Sequence, residues 1–110
     1  RREELVFGIS DAMSDGDAAR ALNFWDQVMA TDRAAQGRSI GGLAWKIRQV
    51  IEYGDPRISR HQLLEQQRDL LHAELAVKTG LSSLPLAIEQ FIVKHAVKST
   101  PGARDARRAS

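Results

Sequence analysis

Residues 70–93, LLHAELAVKTGLSSLPLAIEQFIV, end one amphipathic helix and begin another, and this junction decides the fold class. Gly80 follows a leucine-rich stretch, at a position where helices commonly end in the left-handed conformation. Pro85 suits the first turn of the next helix, where a missing backbone N–H costs nothing. The junction therefore predicts one helix over 60–78 and another over 84–97.

The letters KTG at 78–80 could also suggest a phosphate-binding loop, but their context does not fit one. Such a loop needs glycines after a strand and a lysine at the start of a helix. Here the lysine closes a helix, where its charge is favourable near the carbonyl ends. We therefore interpret Gly80 as a helix stop and expect Leu81 to fold back on Leu75 or Ala76.

Helical periodicity also runs through the first half of the chain. It predicts helices over 4–13, from an N-cap at Asp17 to 31, and over 40–53, with a polar connection at 31–39. Gly16 suits the left-handed turn before the second helix. The predicted fold is all-α, a single bundle of about five helices.

The helix over 60–78 carries the clearest local signals. Ser59 and Gln62 have the spacing of a capping box, and Ile58 and Leu63 have the spacing of a hydrophobic staple. We expect its buried side to carry five leucines: Leu63, Leu64, Leu70, Leu71 and Leu75.

Composition limits the classes of function. The chain has 110 residues and no cysteine, which excludes disulfides and thiolate metal sites. No apolar run reaches the roughly 18–20 residues that a membrane helix needs. Residues 98–110 carry a net charge of +3 and residues 1–97 a net charge of −1. We therefore expect a near-neutral helical domain over 1–97, a poor binder of phosphate backbones by charge alone, and a flexible basic tail over 98–110.

Residues with chemical potential are scattered. His61, His72 and His95 lack metal-ligand spacing, and no nucleophile has a general base indicated nearby. We predict no catalytic residue, no metal site and no cofactor. His61 and Glu65 are interpreted as a surface contact, and His95 as a histidine at the edge of the core.

The two tryptophans differ in position. Trp25 falls in an apolar stripe and is expected to be core. Trp45 lies about 160° from Ile47 on a helical wheel, and Arg48 is one turn further on the same side. Tryptophan and arginine dominate interface energetics. We therefore predict a subunit interface at Trp45 and Arg48, with the alternative that Trp45 plugs the underside of the first two helices.

Three stretches resemble the C-terminal part of the delta subunit of bacterial DNA polymerase III, a clamp-loader component. They are VFGISDAMSDGDAARALNFWDQVM (6–29), GGLAWKIRQVI (41–51) and the junction at 70–93. The third is the most specific, with a leucine-rich helix, an Ala-acidic-Leu-Ala segment and then Lys-Thr-Gly. The resemblance covers about residues 5–96. Glu74 stands where the family more often has Asp, and the connection at 53–59 is shorter than the family's.

The resemblance implies a helical collar domain, which holds clamp-loader subunits in a ring. Its expected partners are delta prime and gamma/tau, with the sliding clamp and DNA reached through the parent complex. No enzyme activity is expected in this chain, because polymerase and ATPase sites lie on other subunits of the holoenzyme. No membrane or small-molecule ligand is expected, and the expected location is the bacterial cytoplasm.

Two other classes of function remain open. The chain could be a free-standing helical adaptor, or a helix-turn-helix DNA binder. The near-neutral body argues against the second, because a recognition helix usually has a basic face.

Overall fold

The computed structural model describes residues 2–31 and 33–96, which form five α-helices. These are α1 (Arg2–Ser14), α2 (Ala18–Met29), α3 (Arg33–Tyr53), α4 (Arg60–Lys78) and α5 (Leu84–Ala96). No β-strand occurs within those two described ranges. The prediction of an all-α bundle of about five helices is confirmed. The predicted basic tail, 98–110, lies outside the described residues.

The turn between α1 and α2 follows its local sequence. Gly16 has a φ of 72°, and the N–H of Asp17 donates to the carbonyl of Ala12 over 2.9 Å. The carboxylate of Asp17 then accepts the backbone N–H of Arg20 at 3.0 Å. One glycine and one N-cap aspartate therefore end α1 and begin α2, as predicted.

The start of α4 is fixed by a capping box. The Ser59 hydroxyl accepts the N–H of Gln62 at 3.0 Å, and the Gln62 side-chain oxygen accepts the N–H of Ser59 at 2.9 Å. Both bonds satisfy backbone donors that the helix itself cannot pair. The predicted box is confirmed, whereas the staple between Ile58 and Leu63 stays a prediction.

The end of α4 has the backbone motif that the sequence predicts. Gly80 has a φ of 79°, its N–H donates to the carbonyl of Val77, and the N–H of Leu81 donates to the carbonyl of Ala76. The predicted packing of Leu81 on Leu75 or Ala76 is wrong, because Leu81 is 85% exposed. The motif turns the backbone without placing a hydrophobic partner beneath Leu81.

Helix α3 begins earlier than its apolar pattern predicts. Most of the expected connection at 31–39 is helical from Arg33. The side-chain amide of Gln36 donates to the carbonyls of Met29 (3.0 Å) and Thr31 (3.3 Å), which ties this first turn to the end of α2. Ser39 is buried and donates to the carbonyl of Gln36. Because the inward-facing residues of this first part of α3 are polar, the periodicity of apolar residues does not predict that it is helical.

Helix α5 packs against α1, α2 and α4, and α3 packs against α1, α4 and, to a lesser extent, α2. The indole N–H of Trp25, a buried side chain of α2, donates to the carbonyl of Pro85 at 3.3 Å. The core placement predicted for Trp25 is confirmed. The principal core cluster is the following set: Val6, Ile9, Ala12, Met13, Ala21, Trp25, Val28, Ile40, Leu43, Ile47, Leu70, Ile88, Phe91, Ile92 and Ala96.

The predicted buried side of α4 is partly wrong. Leu63 and Leu70 are buried, but Leu64, Leu71 and Leu75 are about half exposed. Neighbouring positions on a helix are separated by about 100°, and α4, which packs chiefly against α3 and α5, has only one leucine of each adjacent pair covered. Leu63 and Leu70 therefore face the bundle, and the row of Leu64, Leu71 and Leu75 faces solvent.

Candidate interaction surface

The outer row of α4 is formed by Leu64, Leu71 and Leu75, hereafter the leucine row. Their spacings of seven and four residues place them within about 40° on the helix surface. All three are exposed, and Leu71 is 54% exposed. Single exposed leucines need no explanation, but a row of three along one helix is typical of a contact surface.

Trp45 lies on the outer side of α3 and is 47% exposed. Its ring stacks on Phe7 of α1, with centroids 5.5 Å apart and planes inclined by 26°. The Lys46 ammonium lies 5.6 Å from the centroid of the same Phe7 ring. The tryptophan therefore leans on α1 with one part and presents the other to solvent. The structure shows contact of Trp45 with α1, and its predicted role in a subunit interface stays a prediction.

Arg48, the second predicted interface residue, is exposed on α3. Within the described part of the chain it forms no ion pair, and the same holds for exposed Arg38. Their positions, seven residues before and three after Trp45, place the three side chains on one side of the helix. The structure therefore brings Trp45 and Arg48 to one exposed face, and adds Arg38 to it.

Two other arginines are engaged by carboxylates. Arg57 contacts Asp11 (2.8 Å), Asp15 (2.9 Å) and Asp55 (2.6 Å), which joins the α3–α4 loop to α1 and the turn that follows it. Arg20 contacts Asp11 and Asp15 at 2.9 and 3.1 Å. Hydrogen bonds from Arg57 lower the pKa of Asp15 and of Asp55, and those same bonds raise the pKa of Arg57. These arginines are occupied within the fold.

A polar cluster joins α4 to α5. Asp69 is mostly buried and contacts Lys94 Nζ at 2.7 Å and His95 Nε2 at 2.8 Å. The hydrogen bond from Lys94 lowers the pKa of Asp69 to about 2, with His95 acting in the same direction and burial opposing both. His95 also lies against Phe91, with ring centroids 4.9 Å apart. The structure therefore supports His95 as a core-edge histidine.

Beside that cluster is an open cleft of about 250 Å³ between α4 and α5. Small apolar side chains, Ala73, Ala76 and Ala87, form much of its lining. Asp69 and Lys94 also line the cleft, but they pair with each other. The arrangement can receive an apolar side chain against these alanines.

The remaining predicted chemical residues have surface or helix-end roles. Lys78 is exposed and pairs with Glu74 at 3.6 Å, at the carbonyl end of α4. His61 lies 3.6 Å from Glu65, in keeping with the predicted surface contact. The described residues contain no group of three or more histidines and carboxylates able to hold a metal ion.

Sequence reasoning missed the leucine row, because it assigned all five leucines to one buried side. The signal was present as two leucine pairs, 63–64 and 70–71, at heptad spacing. A pair of adjacent leucines repeated every seven residues predicts two apolar rows about 100° apart, and in α4 the bundle covers one of them.

Length and apolarity fall short of a membrane span in every helix of the described chain. Comparison of the chain with family models, with curated proteins and with solved structures finds no match.

Proposed function

We propose that this chain is a helical association domain, and specifically the collar domain of a clamp-loader delta subunit of bacterial DNA polymerase III. The observation that carries the proposal is the leucine row beside a filled core. A domain that acted alone would gain by exposing polar residues there, because each half-buried leucine leaves apolar area in water.

The leucine row is suited to helix-to-helix packing. Two turns of α4 separate Leu64 from Leu71, and Leu75 follows one turn later, so the row extends for about 16 Å. A partner helix can insert its own side chains between these leucines, as in ridge-and-groove packing. Trp45 adds a second exposed apolar group on α3, steadied by its stacking on Phe7.

In this proposal the domain contributes assembly and no chemistry. It would hold its neighbours, delta prime and gamma/tau, in the ring that places the sliding clamp on primed DNA in the bacterial cytoplasm. Polymerase and ATPase sites would lie on other subunits. The resemblance at 6–29, 41–51 and 70–93 supports the family assignment, and the five-helix fold is compatible with it.

The test is reconstitution with purified delta prime and gamma/tau. Wild-type chain should co-elute with them, and Trp45→Ala should weaken the affinity roughly 30- to 1000-fold, the usual cost of truncating a central interface tryptophan. Leu81→Ala is the matched control, because Leu81 is an exposed apolar residue outside both surfaces. A large fall in melting temperature with unchanged affinity would assign Trp45 to the fold instead.

A free-standing adaptor is the second candidate, supported by the same leucine row. It predicts capture of helical partners by a chain that does not bind clamp-loader subunits. A helix-turn-helix DNA binder has less support, because Arg20 and Arg57 are held by aspartates. A salt-dependent gel shift by residues 1–97 would favour that reading.

A further inference from the structure

Helix α3 differs from the other helices in its charge. Its sequence, RAAQGRSIGGLAWKIRQVIEY, has four basic residues and one acidic residue, a net of +3. Helix α4, of similar length, has three of each and is neutral. Since residues 1–97 carry a net charge of −1, the near-neutral body contains one strongly basic helix.

Two of these basic residues are exposed and lie on either side of Trp45. Arg38 lies about 10 Å along the helix axis before Trp45, and Arg48 lies about 5 Å after it. Both arginines are exposed and free of ion pairs with other described residues. We call the surface formed by these three side chains the α3 face. An exposed tryptophan between two available guanidinium groups is a combination that interfaces favour.

The α3 face also allows the backbone of a second helix to approach closely. Gly37 and Gly41 lie on this side of the helix, and a Cβ built on either would meet no atom within 4 Å. Nothing in the fold of the chain therefore requires glycine there, although each costs about 1 kcal/mol in a helix interior relative to alanine. Missing side chains at positions four apart allow a second helix backbone to approach closely.

We infer that the α3 face binds an acidic helix of a neighbouring subunit. This inference rests on the proposed function and identifies the chemistry of one partner. The partner helix would pass over Gly37 and Gly41, cover Trp45, and place carboxylates about 15 Å apart against Arg38 and Arg48. Charge complementarity selects this occupant, because two arginines with no acidic partner among the described residues lie at opposite ends of the aromatic contact.

Nucleic acid fits the α3 face less well. Binding through a phosphate backbone is built from many neutralised phosphates, and this face offers two exposed arginines. Gly37 and Gly41 allow another helix backbone to approach, but they add no side-chain hydrogen-bond donor that could bind phosphate.

The first experiment reverses the charge. Arg38→Glu with Arg48→Glu should weaken binding to purified delta prime and gamma/tau by 10-fold or more, with an unchanged melting temperature. Arg38→Lys with Arg48→Lys should largely retain binding. Asn23→Glu with Gln27→Glu is the control for added negative charge, because both residues are exposed on α2, which carries neither the α3 face nor the leucine row. Equal binding by wild type and the glutamate variant would overturn the inference and leave the proposed function standing.

The second experiment identifies the occupant. The double lysine variant supplies amines on the α3 face, and carbodiimide should join them to glutamate or aspartate of a partner helix. Cross-links confined to a loop, or to no acidic segment, contradict the inference. Tight binding of a fluorescent oligo-dT by wild type, lost in the glutamate variant, would make nucleic acid the occupant. Failure of wild type to bind any clamp-loader subunit would overturn the proposed function and the inference together.

The glycines have a separate readout. Gly41→Ala should raise the melting temperature, because alanine is the better helix former and has open space here. The same change should lower subunit affinity several-fold. A higher melting temperature with unchanged affinity would show that no backbone approaches Gly41, and would overturn the proposed path of the partner helix.

Discussion

Helices α4 and α5 are both rich in aliphatic residues, but they use them differently. In α5, Ala87, Ile88, Phe91, Ile92 and Ala96 are buried. In α4, which is six residues longer, only Leu63, Gln66 and Leu70 are buried. Helix α5 packs against α1, α2 and α4, whereas α4 packs chiefly against α3 and α5. Apolar content therefore does not measure a helix's contribution to the core, because the number of neighbours decides how much of it is covered.

The largest expected effect is on the α5 side of this comparison. Ile88 is fully buried, so Ile88→Ala should lower the free energy of unfolding by about 2–5 kcal/mol through lost transfer energy and an unfilled cavity. Urea unfolding monitored by circular dichroism measures this cost. A cost below about 1 kcal/mol would mean that Ile88 is not a packed side chain of the core.

Substitution at the junction between α4 and α5 should destabilise the fold less than substitution of Ile88. Gly80→Val is expected to cost about 1 kcal/mol or more, because a β-branched residue resists the φ of 79° that the helix stop requires. Thermal and urea unfolding would report it. Gly37→Val is a useful contrast, since both glycines have open space but only Gly80 has positive φ. Equal costs at the two positions would show that helix propensity, not backbone conformation, is responsible.

The polar link between α4 and α5 should make stability depend on pH. Asp69 has a folded pKa of about 2 against an ordinary value of 3.8. A depressed pKa stabilises the fold above the ordinary value, and this contribution is lost as pH falls from about 4 towards 2. We expect about 1 kcal/mol, since Lys94 is solvent-exposed and screened. Asp69→Asn should therefore be less stable than wild type at pH 6 and equal to it near pH 2.

The pH experiment has a matched control in Asp26. This exposed residue of α2 forms no ion pair with the rest of the described chain, so Asp26→Asn should follow the wild-type pH profile. Urea midpoints at pH 6, 4, 3 and 2 would distinguish the two variants. If Asp69→Asn kept the wild-type dependence of stability on pH, the cluster of Asp69, Lys94 and His95 would not contribute to the stability of the α4–α5 contact.

The smallest effect on stability is expected in the leucine row. Leu71→Ala and Leu75→Ala should each cost less than about 1 kcal/mol, because half of each side chain is already in water. Both changes should nevertheless weaken subunit binding if the row is a contact surface. Thermal unfolding and co-elution of the same variants separate these outcomes. A loss of 2 kcal/mol or more in the free energy of unfolding would show that the two leucines belong to the core.

Much of the fold could be predicted from local sequence. Asp17, Ser59 and Gly80 define helix ends through hydrogen bonds to residues within five positions, so each signal is complete in a short segment. The start of α3 could not be predicted in this way. Gln36 and Ser39 are polar, and their role depends on carbonyls that the end of α2 presents and on burial by the bundle.

The candidate surface was predicted in part. The helical wheel placed Trp45 and Arg48 on one side, and the structure does the same because this relation lies within a single helix. The contact of Trp45 with Phe7 joins residues 38 positions apart and has no local signal. The concentration of charge on α3 was hidden by averaging over residues 1–97, since the correct helix bounds are needed to count it.

The sequence by itself determined where most helices begin and end and that each has an apolar side, because caps and periodicity act over a few residues. Only the tertiary structure decided which apolar side is covered. Leu63 and Leu64 are chemically identical neighbours, yet one is buried and the other exposed. Their difference arises from the position of the other helices around α4, since burial depends on groups distant in sequence that the local pattern does not encode.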